Sequence, residues 1–367
     1  MPELADIFSR HGPEYRSKFA GRMLPSHLKA MEDIENCRTE SMGGQVYLCR
    51  QCEQVRYSYH SCKNRHCPKC GNDSTNLWLK TQMDLLLPQN YFLITLTIPE
   101  GLRPLARSNQ NRVYNLLFEA SAQALKKLAL DPKFVGGRIA MVGVLHTWGR
   151  DLSYHPHVHY IIAGGGLSPN NIWLPSSKKF FVPVKALSTI FRAKFRDGLK
   201  KLCLLDSVDQ KVFKKPWVVH SKPVGSGEGA LKYLAPYVYR VALSNNRIEH
   251  LDDSSVKFRY RESVSGTSRQ MTLDAMEFIR RFLQHVLPDG FHKVRYYGLL
   301  SPSNRKVLRI LQGVLATNSV LESILRPSEP EQLSQGTQGH GPLICPHCGG
   351  DLRLLKTLRR ARTRGPP

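Results

Sequence analysis

Tyr154-His155-Pro156-His157-Val158-His159-Tyr160 holds two imidazoles flanking a single apolar residue. Side chains alternate faces along a β-strand, so His157 and His159 point the same way while Val158 faces a core behind them. Two neighbouring imidazoles are half of a divalent-metal site. Farther along, Tyr233 and Tyr237 stand four residues apart with Lys232 and Arg240 beside them. That spacing places both hydroxyls on one helix face, although Pro236 between them removes a helix hydrogen bond. A phenol with its ordinary pKa of about 10 is a weak nucleophile near neutrality, and nearby cations favour the phenolate. Together, a metal clip and a basic-flanked tyrosine suit an attack on a phosphodiester that leaves a 5′-phosphotyrosine. Taken singly, each has a plainer reading: surface imidazoles beside a hairpin, and aromatic core packing at helical spacing.

Cys49-Arg-Gln-Cys52 and Cys67-Pro-Lys-Cys70 form two Cys-x-x-Cys knuckles separated by 14 residues. Two such knuckles can close a tetrahedral four-thiolate shell around Zn²⁺. Cys62, His66, His60 and Cys37 are near enough in sequence to alter that shell or build another site. A closed structural site of this kind would present Arg50, Arg56, Lys63 and Arg65 to a phosphate backbone. A third knuckle, Cys345-Pro-His-Cys348, has no partner pair nearby in sequence. It could bind zinc with His340 and His347, pair with another chain, or be an unmetallated turn.

The formal charge of +24 arises from 53 Lys+Arg against 29 Asp+Glu, and most of the excess lies after residue 90. With a sequence pI near 9.8, this favours a polyanionic partner. No apolar run is long enough to span a bilayer, and there is no basic amphipathic membrane helix or lipidation motif, so nucleic acid is the favoured polyanion. The N-terminus lacks an apolar signal core, which points to a cytoplasmic protein whose nine cysteines are metal ligands or thiols.

The positioning elements follow from periodicity. Residues 1 to about 75 read as cysteine- and turn-rich. Tyr91–Ile98 reads as a strand, Asn111–Leu130 as a helix, and Arg138–Trp148 and His155–Ala163 as two strands joined by the turn Gly149–Ser153. Pro183–Leu204 suits a basic amphipathic helix with Phe191, Phe195 and Leu199 on one side. Trp217–Lys222, Val256–Arg261 and Lys293–Tyr297 are strand-like, while Thr272–Leu287 and Ser303–Ala316 are helical. Residues 327–343 have linker composition. The order predicts an α+β fold around a mainly antiparallel sheet. If the two central strands form a hairpin near Asp151, His146 lies opposite His157 and adds a third imidazole; a one-residue slip would reverse this, leaving Asp151 or Glu228 as candidates.

The ordered series CRTESMGGQVYLCRQC, YHSCKNRHCPKC, LITLTIPE, HTWGRDLSYHPHVHYIIAGGG and YLAPYVYRVALSNNRI resembles the rolling-circle HUH insertion-sequence transposases with an N-terminal zinc-binding domain. The resemblance covers most of residues 30–300. It implies a zinc-binding domain over 1–80, an HUH catalytic domain over 90–300, a helical extension over 301–326, and a linker with a basic knuckle-bearing tail over 327–367. It also implies that His157 and His159 bind a catalytic Mg²⁺ or Mn²⁺, that Tyr237 and Tyr233 are the nucleophiles, and that Cys49, Cys52, Cys67 and Cys70 hold structural zinc. The partners implied are single-stranded DNA at element ends and target, reached by a bacterial protein associated with the nucleoid when acting. A Gly-x-x-x-x-Gly-Lys-Ser/Thr loop is missing from the sequence, so unwinding is expected to fall to a host helicase or replication proteins. The same chemistry would serve a plasmid replication initiator or a relaxase. Other classes consistent with parts of the sequence are a non-catalytic zinc-containing DNA-binding regulator and a zinc hydrolase built on His-x-His.

Overall fold

The computed structural model describes residues 1–226, 229, 231, 241–262, 265–324 and 343–360. The chain begins with two helices, α1 (Leu4–Phe19) and α2 (Pro25–Glu35), followed by strands β1 (Gly44–Cys49) and β2 (Val55–Tyr59) and helix α3 (Gly71–Met83). Next come β3 (Asn90–Thr97), α4 (Arg103–Ser108), α5 (Gln110–Leu130), β4 (Ala140–Trp148) and β5 (Tyr154–Ala163). A small hairpin, β6 (Gly165–Leu167) and β7 (Trp173–Pro175), leads to α6 (Val184–Lys201) and β8 (Val219–Ser226). The remaining elements are β9 (Ile248–Leu251), β10 (Ser255–Arg261), β11 (Ser268–Asp274), α7 (Ala275–Leu283), β12 (Val294–Gly298), α8 (Arg305–Ile324) and β13 (Leu352–Leu358).

At the centre is a five-stranded sheet of order β12-β4-β5-β3-β8, with each neighbouring pair antiparallel. The fold is therefore α+β around an antiparallel sheet, as the sequence predicts. One sheet face carries Phe92, Ile94, Leu96, Val158, Tyr160 and Ile162 into a core with α5 and α6. Helix α6 presents Leu187, Phe191, Phe195 and Leu199 to that core at four-residue steps, and the rings of Phe191 and Phe195 pack edge-on against Trp217. The opposite sheet face packs Leu93, Val142, Val144 and Ile161 beneath Trp78 of α3 and Leu308, Leu311 and Leu315 of α8.

The structure corrects three expectations. Residues 4–19 and 25–35 are helical, where turns were expected. Glu3 and Asp6 form a capping box, and Leu4, Ile7, Phe8, His11 and Tyr15 are buried along one stripe of α1. The expected helix Thr272–Leu287 is split: Ser268–Asp274 pairs with β10, and Asp274 then caps α7 by accepting from the amides of Met276 and Glu277. Finally, β13 is not part of an isolated tail, because it pairs with β1 in a sheet of order β13-β1-β2.

The expected boundary after the zinc region is also crossed by a core. Leu4, Phe8, Met31, Ile34, Cys67 and Cys70 share it with Leu243, Phe258, Phe278 and Phe282, and the rings of Phe8 and Phe282 meet edge-on at 5.5 Å. The N-terminal helices thus wrap onto a segment that follows the central strands. Tyr233, Tyr237, Lys232, Arg240, Glu228 and His340 lie outside the described residues.

Phe195 is fully buried whereas Phe180 is 48% exposed. Phe195→Ala is expected to lose about 3–5 kcal/mol of unfolding free energy, and Phe180→Ala to stay within about 0.5 kcal/mol of the parent. Chemical denaturation of both variants checks this, and equal losses would contradict the assigned core.

Candidate metal centre and cysteine clusters

Strand pairing brings the histidines together. His146 of β4 stands opposite His157 of β5, which in turn stands opposite Thr97 of β3. The next row on the same face is Val144, His159, Thr95 and His220. The bulge in the β4–β5 ladder falls between His146 and Trp148, beyond the imidazole row, so the three rings share one face. Val158 is fully buried on the other. One nitrogen from each of His146, His157 and His159 lies within 4.8 Å of the other two.

The ring orientations are set by neighbours. His157 Nδ1 lies 2.6 Å from the His155 carbonyl oxygen, which can only accept, so this nitrogen carries the proton and Nε2 presents a lone pair. His159 Nδ1 lies 2.8 Å from Thr95 Oγ1. The two Nε2 atoms then face each other at 3.0 Å. Two lone pairs at that distance repel, so a proton or a cation must lie between them. Hydrogen-bonding the distal nitrogen to a carbonyl or hydroxyl is how metal-binding imidazoles are commonly oriented. The His146 ring stacks on Trp148 at 4.7 Å. Three imidazoles form a nitrogen donor set that suits a first-row transition ion, and Mn²⁺ accepts such ligands more readily than strongly oxygen-seeking Mg²⁺.

Burial holds His157 and His159 neutral. It lowers the pKa of His157 to about 4 and that of His159 well below the ordinary value, with the charge of His157 adding to the effect. The more distant His285, whose ring lies 3.1 Å from the Leu152 carbonyl oxygen, is lowered by burial to about 4 as well. His155 stays outside the trio, with its Nδ1 2.9 Å from Arg103 Nη2. Asp151 is also apart, accepting from the amide and hydroxyl of Ser153. Thr95 and Arg103 were missed from sequence, since only the register of β3 and the fold of α4 bring them here.

The cysteines assort differently from the expected Cys49/Cys52/Cys67/Cys70 shell, which is corrected. Cys67 and Cys70 join Cys37 and Cys62, while Cys49 and Cys52 join Cys345 and Cys348. In the first quartet the Cys70 sulfur is 3.5 Å from that of Cys37 and 3.6 Å from that of Cys62. A hydrogen bond from Cys62 draws the Cys67 thiol down to about 5, and burial pushes Cys37 up to about 12. His66 is no part of either quartet: its Nε2 accepts from the Leu287 amide. Arg65 is also used internally, donating to the carbonyls of Pro288 at 2.9 Å and of Phe291, whereas Lys63 is exposed. The leftover Cys37 and Cys62, already read as able to build another site, and the repeated Cys-x-x-Cys spacing at 345–348 were the sequence signals for these partners.

An imidazole whose pKa is lower in the fold than in the unfolded chain is protonated first when unfolded. Its contribution to stability is complete above about 6.5 and drains away as pH falls toward 4. With His157 and His285 both near 4, the metal-free protein is expected to lose thermal stability steadily across that interval, and His285→Phe to flatten the slope. Glu277, held near 2 by Arg280, gives up its contribution mostly at lower pH. Thermal midpoints recorded from pH 7 to 4 test this; a level profile would contradict it.

Residues 7–98 match the "Transposase zinc-binding domain" of IS91-type proteins, and residues 140–307 match the family described as "Putative transposase", the Y2 type. The chain is 39% identical over 326 residues to the "Putative transposase y4qJ" of Sinorhizobium fredii (strain NBRC 101917 / NGR234), covering 83% of this chain and 82% of that one. It is 28% identical over 290 residues to the "Transposase for insertion sequence element IS801" of Pseudomonas savastanoi pv. phaseolicola, covering 72% and 68%. No solved structure gives a significant match. With a zinc-binding region leading into a histidine-bearing antiparallel sheet, and with relatives matched over most of its length, the chain belongs to the IS91/IS801-type transposase family.

Proposed function

We propose that this transposase cuts and rejoins single-stranded DNA at the ends of an insertion sequence through a 5′-phosphotyrosine intermediate, with Tyr237 and Tyr233 as nucleophiles. The observation that carries the reading is the convergence of three imidazoles on one sheet face, two of them with Nε2 atoms 3.0 Å apart. His146, His157 and His159 would hold a divalent ion, Mn²⁺ or Mg²⁺. When bound, such an ion polarises a phosphoryl oxygen and orients the phosphate for in-line attack. The tyrosine phenolate oxygen forms a bond to phosphorus as the bond to the 3′ oxygen breaks, and that oxygen departs as a 3′-hydroxyl after taking a proton. Because one phosphoester replaces another, the linkage remains available for a second 3′-hydroxyl to attack, which rejoins the strand. Two phenols would let two strands be handled in succession.

The surrounding charge suits a phosphate backbone. The chain carries +24 formal charges, and Lys63 is exposed beside the first cysteine quartet. Lys232 and Arg240 flank the tyrosines in sequence and would meet the same strand. Opening of duplex DNA is left to a host helicase or the replication machinery.

The test is incubation with labelled single-stranded DNA from an element end, in Mn²⁺ or Mg²⁺, followed by denaturing electrophoresis. A covalent protein–DNA adduct is expected. Tyr237→Phe should lower its yield by about 10³-fold or more, given what removal of a nucleophile does elsewhere, and Tyr233→Phe should impair transfer to a second strand. The double variant His157→Ala/His159→Ala should lose cleavage while keeping a native circular-dichroism spectrum. Normal adducts from both tyrosine variants would overturn the nucleophile assignment, and binding without any adduct would identify a regulator instead.

A further inference from the structure

The matched zinc-binding domain ends at residue 98, yet half of one cysteine quartet comes from far beyond it. Cys49 and Cys52 sit at the end of β1 and in the turn that follows, while Cys345 and Cys348 come from the knuckle just before β13. The sulfurs of Cys49 and Cys348 are 3.4 Å apart, and those of Cys52 and Cys345 are 3.8 Å apart. A disulfide would need about 2.05 Å. A tetrahedral shell with Zn–S bonds of about 2.3 Å places its sulfurs about 3.8 Å apart, close to the 3.4 and 3.8 Å seen here and far from a disulfide.

The backbone around the quartet is arranged as two matching knuckles. The amide of Cys52 points back to the Cys49 sulfur at 3.5 Å, and the amide of Gly349 bonds to the Cys345 carbonyl at 2.9 Å. Gly349 has φ +76 and supplies the left-handed turn. The knuckles are then joined by the Arg50 amide donating to the Asp351 carbonyl at 3.0 Å. Gly350 passes so close to Gln51 that a Cβ would lie 2.7 Å from its side chain. Downstream, β13 pairs with β1 from Gly44 to Cys49, and Arg360 reaches Asp33 of α2 at 4.0 Å.

From this geometry we infer that Cys49, Cys52, Cys345 and Cys348 bind a second structural zinc ion, which clasps the C-terminal strand onto the N-terminal sheet. The first ion belongs to Cys37, Cys62, Cys67 and Cys70. The clasp joins residues almost 300 positions apart in the chain, a closure that a metal crosslink can stabilise by restricting the unfolded ensemble. It does not depend on the tyrosine chemistry proposed above.

Zinc content of the purified full-length chain is the direct test. In a His157→Ala/His159→Ala background, which removes the imidazole trio as a third zinc site, two ions per chain are expected, and one once Cys345→Ser/Cys348→Ser is added; a value of one before that addition, or of two after it, would overturn the inference. Cysteine labelling of the unaltered protein gives a readout that needs no variant. Cys203 is exposed and belongs to neither quartet, so it serves as the internal reference. Cys49, Cys52, Cys345 and Cys348 should resist alkylation while zinc is bound and become reactive together when a chelator removes it. Labelling of Cys345 and Cys348 as fast as Cys203 in the zinc-loaded protein, or their recovery as a disulfide, would refute the clasp.

Discussion

The register between β4 and β5 is the constraint on which the histidine centre depends. A shift of one residue would turn His157 and His159 into the core and bring Val158 to the metal face. Gly143 and Tyr160, which are paired across the ladder, fix that register sterically. A Cβ on Gly143 would lie 2.6 Å from the Tyr160 ring, so no other residue type lets this ring lie over its neighbour. The Tyr160 hydroxyl is in turn 2.8 Å from Ser121 Oγ of α5. Slipping the strand by one residue would carry the fully buried Tyr160 ring to the opposite sheet face and break that hydrogen bond.

The imidazoles themselves are held away from water, which disfavours their charged forms. Burial and metal affinity therefore act in the same direction: a neutral ring keeps a lone pair for a cation, while a protonated ring would repel it. Thr95 and the His155 carbonyl complete the arrangement by engaging the far nitrogens. They leave the facing nitrogens as a pair of donors that the fold has already aligned. Little side-chain ordering then remains for a metal to impose, which is the advantage of building the centre on adjacent strands rather than on loops.

Much of this was legible because short-range periodicity was decisive. The His157-Val158-His159 alternation, the apolar run of β3 and the four-residue steps of α6 each match what the structure contains, and the hairpin reading brought in His146. Knuckle assortment was not legible. Cys-x-x-Cys spacing determines how one pair turns its thiols inward, but it carries no information on which pair faces which. Here the choice is made by β13 pairing with β1, a contact between opposite ends of the chain. Helix α1 was missed because its glycine and Pro13 read locally as turn formers, while the burial that offsets them comes from α7 and β10, long after it in sequence. The tyrosines are a different matter, as their assignment rests on motif and family alone.

The shared core also changes how the zinc region and the histidine centre relate. The knuckle of Cys67 and Cys70 is preceded by Arg65 and His66, which bond to the backbone of Leu287, Pro288 and Phe291. Just before that segment, His285 packs edge-on against Trp148 at 6.2 Å, and Trp148 stacks on His146. Every link in this series is a buried or half-buried contact, which makes a continuous packed wall from the first quartet to the third imidazole. A zinc ion held by Cys37, Cys62, Cys67 and Cys70 would therefore act on the sheet as well as on its own loop. By fixing the turn that carries Arg65 and His66, it would brace the wall against which His146 is positioned, so that the region matched as a zinc-binding domain supports the central sheet in space.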